Sequence, residues 1–245
     1  MPIQHGVVHK FAAGLNAGQT PVPLPFDSAL QQGWKVYYEG LNDGIVRTDD
    51  AYWLVQANGG GTVGAGDSNS IVITGDGTVY SGYSLYKTLA DVILATDGKR
   101  FYLETRVKLT LDTAGTVPAN GWFVGFTSAN EAMTTGASDA LDGGDEALGF
   151  GQVDTDTAIS FYSREDATNQ AISFDSALAD SVYAKLTCYY DGANFNLYRD
   201  DYLISTTAMT QLNADEAMTP QVYFEVVEAK ANTLNVQYLL LAVEL

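Results

Sequence analysis

The sequence predicts an all-β chain, an antiparallel two-sheet sandwich with an extended N-terminal arm. Three observations carry this. Residues 101–111 alternate, with Phe101, Leu103, Val107, Leu109 and Leu111 on one side and Glu104, Arg106 and Lys108 on the other. That is the period of two of a strand with one buried and one wet face. The same alternation recurs to the end of the chain, in short β-prone runs separated by turn residues. A hydrophobic content of 46% over 245 residues is enough to fill the core that two such sheets enclose.

Residues 1–33 are read as the arm. Phe11 and Leu15 lie in a small, glycine-broken stretch that ends at Gly18. Pro21, Pro23 and Pro25 follow, and alternating prolines hold the backbone extended and withhold ladder donors. Such an arm is expected to lie along its own domain or a neighbour. Phe11, Leu15, Pro21, Pro23 and Pro25 are its candidate partner-binding residues.

Residues 34–245 are read as the sandwich domain. Residues 34–39 are aromatic and β-prone, and residues 51–55 make a second strand. Residues 58–66 read as a glycine-rich connection, because neither the Lys-Ser or Lys-Thr nor the helix of a phosphate cradle follows. Residues 71–73 form a short strand. Asp97-Gly98 is a turn signal before the strand at Phe101. Residues 121–126 are apolar on both faces, as an inner strand is. Residues 130–146 read as a long surface loop, and residues 147–151 and 159–162 as two further strands. Residues 185–190 and 195–199 flank Asp191-Gly192, a strong hairpin signal. Residues 222–227 and 234–243 supply the last strands. The best helical candidate is a single short piece over 210–218.

Charge excludes several partners. Asp and Glu number 30 against 12 Lys and Arg, a formal net charge of -18. Nucleic acid needs clustered basic residues to release counterions, and here Lys99-Arg100 is the one adjacent pair. An anionic membrane surface is disfavoured for the same reason. The single cysteine, Cys188, shares a strand face with Ala184, Leu186 and Tyr190 and reads as a small buried hydrophobe. The first residues lack the pattern of a signal peptide, and the late apolar run over 238–243 is far too short to span a bilayer. Synthesis in the host cytoplasm is expected.

The order of these pieces resembles the concanavalin A-like (laminin G-type) jelly roll. Four stretches carry the resemblance: residues 98–104, residues 121–126, Tyr190-Asp191-Gly192 with Asn196 to Asp200, and the closing pair over 220–245. It covers residues 80–245 and extends to 34, and it implies a jelly-roll sandwich. The apolar arm, the acidic jelly roll and an end inside a strand also resemble head decoration (cement) proteins of tailed bacteriophages. That resemblance implies a virion structural protein on the capsid exterior. Its partners would be the major capsid protein and further copies of itself, in a homotrimer. The acidity agrees, since packaged DNA repels a strongly negative protein.

The jelly roll also hosts glycoside hydrolases, which need paired carboxylates. Retaining members carry Glu-x-Asp-x-x-Glu on one strand, and this chain lacks that string. Glu225 and Glu228 are three apart, on opposite faces of a strand; Glu146 and Glu165 are a pair that could approach in space. No enzyme activity is expected, and a glycoside hydrolase is kept as the least favoured alternative function. Sugar sites combine exposed aromatics with Asp and Asn, often beside Ca2+. Fifteen tyrosines and acidic loops at 142–146 and 154–156 provide such material. A surface glycan is therefore the alternative partner, and a carbohydrate-binding module of a phage fibre the alternative function. His5 and His9 lack the further ligands of a zinc site, and no cofactor or metal is expected.

Overall fold

The computed structural model describes residues 34–41, 53–87, 92–93, 99–112, 120–128, 146–153, 156–166, 168–212 and 217–244. In chain order the strands are β1 (Trp34–Gly40), β2 (Trp53–Asn58), β3 (Gly61–Ala65), β4 (Ile71–Gly75), β5 (Ser81–Lys87), β6 (Val92–Ile93), β7 (Phe101–Thr110) and β8 (Asn120–Thr127). They continue as β9 (Ala147–Gln152), β10 (Ala158–Glu165), β11 (Thr168–Ser176), β12 (Ala184–Tyr190), β13 (Asn194–Arg199), β14 (Tyr202–Ala208), β15 (Ala217–Val226) and β16 (Thr233–Glu244). The helical content of the described residues is one 3-10 turn, Asp67–Asn69.

Two sheets form. Sheet A runs β14-β13-β12-β7-β16-β4-β3, with β1 also on β16; sheet B runs β11-β10-β9-β8-β15-β5-β2, with β6 also on β15. The pairings are antiparallel throughout. The result is the expected antiparallel two-sheet jelly-roll sandwich.

The alternation explains the layers. On β7, Phe101, Leu103, Val107 and Leu109 turn inward and are fully buried. On β8, all eight residues are buried, as its apolar run on both faces requires. Trp122, Val124 and Phe126 face the core, joined by Val222, Phe224 and Val226 of β15. Phe161 of β10 and Phe195 of β13 meet at 5.2 Å between centroids and tie the two sheets together. The Asp191 hairpin forms as read: Tyr190 pairs with Phe195. The Asp191 carboxylate accepts from the Ala193 and Asn194 amides at 2.9 and 2.8 Å. Gly192 supplies the positive φ of 101° that the turn needs.

The structure corrects several expectations. Residues 61–65 of the glycine-rich connection are strand β3, zipped onto β4, because a ladder needs backbone groups and no particular side chains. Strands β5, β6, β11 and β14 are not among those read from the sequence. β11 and β14 are edge strands with mixed exposure, and edges carry weak apolar alternation. The helix expected over 210–218 does not form at its end, where Ala217 and Met218 already pair with β6. Glu104, assigned to the wet face of β7, is 2% exposed; it points outward but is enclosed by tyrosines.

Candidate functional site

Period-two geometry decides which residues leave the core. Sheet B turns Gln221, Tyr223 and Glu225 of β15 outward, beside Gly125, Phe123 and Gly121 of β8 and Tyr86, Ser84 and Gly82 of β5. This face closes on itself. Thr127 Oγ1 donates to Gln221 Oε1 at 2.7 Å, Gln221 Nε2 donates to Ser84 Oγ at 2.9 Å, and the Tyr223 hydroxyl donates to Glu225 Oε2 at 2.7 Å. Phe123, Tyr162, Tyr223, Ala147 and Val153 form a buried apolar cluster on it. Burial pushes the Tyr162 phenol up to about 12. The Phe123 ring lies across Gly125 and Gly149, so close that a Cβ on either would stand 2.7 Å from its Cζ.

Glu225 and Glu146 stand at opposite ends of this face. Glu225 lies beside Gly121 at one end of β8, and Glu146 accepts Ser128 N–H through its backbone at the other. Seven residues of strand separate the two levels, roughly 23 Å. Retaining glycosidases hold their pair about 5 Å apart and inverting ones about 6.5–9.5 Å. Glu146 and Glu165, the pair the sequence offers, do come to the same end of the β9–β10 ladder, beside the Arg164–Ala147 pairing; there Glu146 Oε1 accepts the Asp166 amide at 2.9 Å and braces the β10–β11 turn. Glu228 lies in the turn after β15 and pairs with Lys230 at 3.0 Å.

Sheet A presents a different outer face. Tyr38 of β1, Tyr238 of β16, Tyr102 of β7, Tyr189 of β12 and Tyr198 of β13 all turn outward, one from each of five neighbouring strands. Leu203 of β14 continues the row beside Tyr198 and is 50% exposed. Glu104 sits at the centre. The Tyr102 hydroxyl donates to its Oε2, Tyr238 donates to its Oε1 at 2.7 Å, and Thr187 Oγ1 donates to Oε2 at 3.3 Å. Burial first, and the Glu104 charge second, push the Tyr102 and Tyr238 phenols far above their ordinary value. Both rings are thus held as neutral donors.

Tyr102 and Tyr198 are buried in this floor, Tyr189 and Tyr238 are half-buried, and Tyr38 is 40% exposed. Tyr38 stacks on Tyr238 at 6.0 Å between centroids. A polar rim surrounds the rings: Arg106 donates to Gln237 Oε1 at 3.0 Å, and Thr206 Oγ1 donates to Asn196 Oδ1 at 2.9 Å. Arg106 and Lys108 also lie over the Tyr183 ring at 5.1 and 4.8 Å. Anchored aromatic faces with polar groups at their border can stack on the apolar face of a ligand and bond its hydroxyls.

The arm residues Phe11, Leu15, Pro21, Pro23 and Pro25 lie outside the described residues, as do His5, His9 and the acidic positions 142–145, 154 and 155. Among the described residues no three His, Cys, Asp or Glu side chains gather in a metal-binding group. Cys188 is fully buried in the core, which pushes its thiol well above the ordinary range. The tyrosine face was missed in the sequence because its members come from five strands. The signal that could have found it is a tyrosine at an outward position of each strand.

No protein-family model matches the chain, and no curated protein matches its sequence. Solved structures share its fold. An endo-1,3-beta-glucanase from Streptomyces sioyaensis is 12% identical with a TM-score of 0.58, over 86% of this chain and 97% of that one. The CBM2 module of the evolved Dit of Lactobacillus casei BL23 phage J-1 is 13% identical with a TM-score of 0.55, over 87% and 98%. The potassium-bound carbohydrate recognition domain of Emp46p is 16% identical with a TM-score of 0.54, over 82% and 95%. At such identities the likeness shows the fold, a jelly-roll sandwich, and leaves ligand and activity to be argued from the site.

Proposed function

We propose that this chain is a non-catalytic, carbohydrate-binding module of lectin-like type, carried on the outside of a phage particle. The observation that carries this reading is the tyrosine face of sheet A, where Tyr38, Tyr189 and Tyr238 reach solvent from a floor locked by Glu104. Rings fixed in advance lose little entropy on binding. The Arg106, Gln237 and Asn196 rim offers donors and acceptors to sugar hydroxyls. Support also comes from solved neighbours that include a carbohydrate recognition domain and a carbohydrate-binding module from a phage.

A glycan array followed by calorimetry tests the reading. Specific binding is expected, with Tyr38→Ala and Tyr189→Ala each weakening it by about tenfold, the worth of one aromatic contact. An unchanged circular dichroism spectrum controls for folding. An array without a hit, or full affinity in both variants, would overturn it. Repeating the titration with EDTA asks whether Ca2+ takes part.

A second reading is that of a head decoration (cement) protein, homotrimeric and bound to the major capsid protein. The net charge of -18 favours it, since that charge suits the outside of a DNA-filled shell. Co-sedimentation with capsids separates the two readings: a protein that binds capsids without glycan is a decoration protein.

A further inference from the structure

We infer that the proline-rich stretch of the arm, Pro21, Pro23 and Pro25, docks on the tyrosine face of sheet A of its own chain. The inference rests on the reading of that face as a binding surface and adds its resident occupant.

Four features lead there. The first is chemical. Proline-rich segments need little ordering, because their rings already hold the backbone in the polyproline II form, and they dock in grooves lined by aromatic side chains. Sheet A offers the rings of Tyr38, Tyr189 and Tyr238 over a floor that holds the buried Tyr102 and Tyr198. The second is size. Four strand spacings from β1 to β13 make a face roughly 19 Å wide. Residues 21–25 in polyproline II form span about 15 Å.

The third is reach. Trp34 opens β1, which belongs to the face itself, and pairs with Glu244. Arg100 binds Glu244 beside it through Nη2 at 2.6 Å, so the chain enters the sheet two residues from the level of Tyr102. Eight residues separate Pro25 from Trp34. They extend to about 26–29 Å, enough to fold back over every ring in the row. A tether of that length presents the arm at roughly millimolar effective concentration.

The fourth is charge. Residues 1–33 hold one Lys and one Asp, so residues 34–245 carry 11 basic against 29 acidic residues and the whole net charge of -18. A segment without net charge lies on this body unopposed, whereas a second acidic body is repelled.

The test uses the full chain. Cys188 is buried, so Val22→Cys supplies an accessible thiol for a nitroxide spin label. Amide signals of Tyr102, Thr187, Tyr189 and Leu240 are expected to broaden, and those of Gln221 and Glu225 on sheet B to stay sharp. Mixing spin-labelled chains with isotope-labelled, unmodified chains should leave the same signals sharp. Replacing Pro21, Pro23 and Pro25 together by Ala should restore much of the lost intensity. Sharp signals on the tyrosine face in the spin-labelled chain would overturn the inference. Broadening that appears in the mixture would also overturn it, because the arm would then reach a neighbouring copy. The readout involves no glycan, so an empty glycan array and an undocked arm are separate failures.

Discussion

Replacing Gly149 by Ala should destabilise the protein strongly, while the same change at Gly64 should not. The added methyl at 149 would stand 2.6 Å from the Val124 carbonyl oxygen, 2.7 Å from Gly125 Cα and 2.7 Å from Phe123 Cζ. Ordinary carbon contacts settle near 3.5–4.0 Å, so something must move by about an ångström. Two of the three neighbours are backbone atoms of β8, which is buried along its whole length and paired on both sides. The strand cannot yield alone. Overpacking of this kind costs about 1–3 kcal/mol, and rigid neighbours place the change at about 3 kcal/mol. For a protein of this size that lowers Tm by about 6–12 °C. At Gly64 of β3 the added methyl meets no atom within 4 Å. There the substitution restricts the unfolded chain and is worth a gain of up to about 1 kcal/mol. Thermal unfolding followed by circular dichroism, with urea midpoints alongside, reads both. Equal Tm values for Gly149→Ala and the parent would refute the close approach of Phe123 and β9. Equal losses at both positions would refute the spatial argument altogether.

The buried phenols make an alkaline prediction. Tyr102 and Tyr238 hold their protons in the folded chain far above the ordinary value near 10, while the unfolded chain releases them there. Above about pH 10 the unfolded state therefore binds fewer protons, and stability falls as pH rises. Urea midpoints from pH 8 to 11 should show this fall, and Tyr102→Phe should flatten it while lowering stability at pH 8. A parallel fall in that variant would count against the assignment. On the acid side, Arg100 holds Glu244 down to about 2 through Nη2 at 2.6 Å and Nε at 3.1 Å. The stability this pair provides is complete above the unfolded carboxyl value and is lost as pH falls through about 2. Glu244→Gln should remove that part of the acid transition in a pH titration of Tm. Cys188, with its thiol pushed up by burial, should resist thiol reagents in the native protein and react on unfolding. Fast labelling without denaturant would contradict its place in the core.

Much of the fold could be read from local pattern. The β7 run, the β8 run and the Asp191 hairpin each announce themselves within about ten residues, because alternation and turn chemistry are local properties. β3 was misread because glycines left its ladder without a side-chain signature. β11 and β14 escaped because edge strands bury little and so alternate weakly. Glu104 was misplaced for another reason. Its charge on an outward position argued for water, but Tyr102, Tyr238 and Thr187 from three strands supply the hydrogen bonds that let a carboxylate be buried.

The sequence by itself determined that this is a strand-built, strongly acidic chain with alternating faces. Period-two alternation names the two sides of each strand, and nothing more. Only the tertiary structure decided which strands become neighbours. It therefore decided that Tyr38, Tyr102, Tyr189, Tyr198 and Tyr238, spread over 200 residues of chain, meet on one face around Glu104. Adjacency across a ladder comes from topology and core packing, which belong to the whole chain, and the candidate site is made of that adjacency.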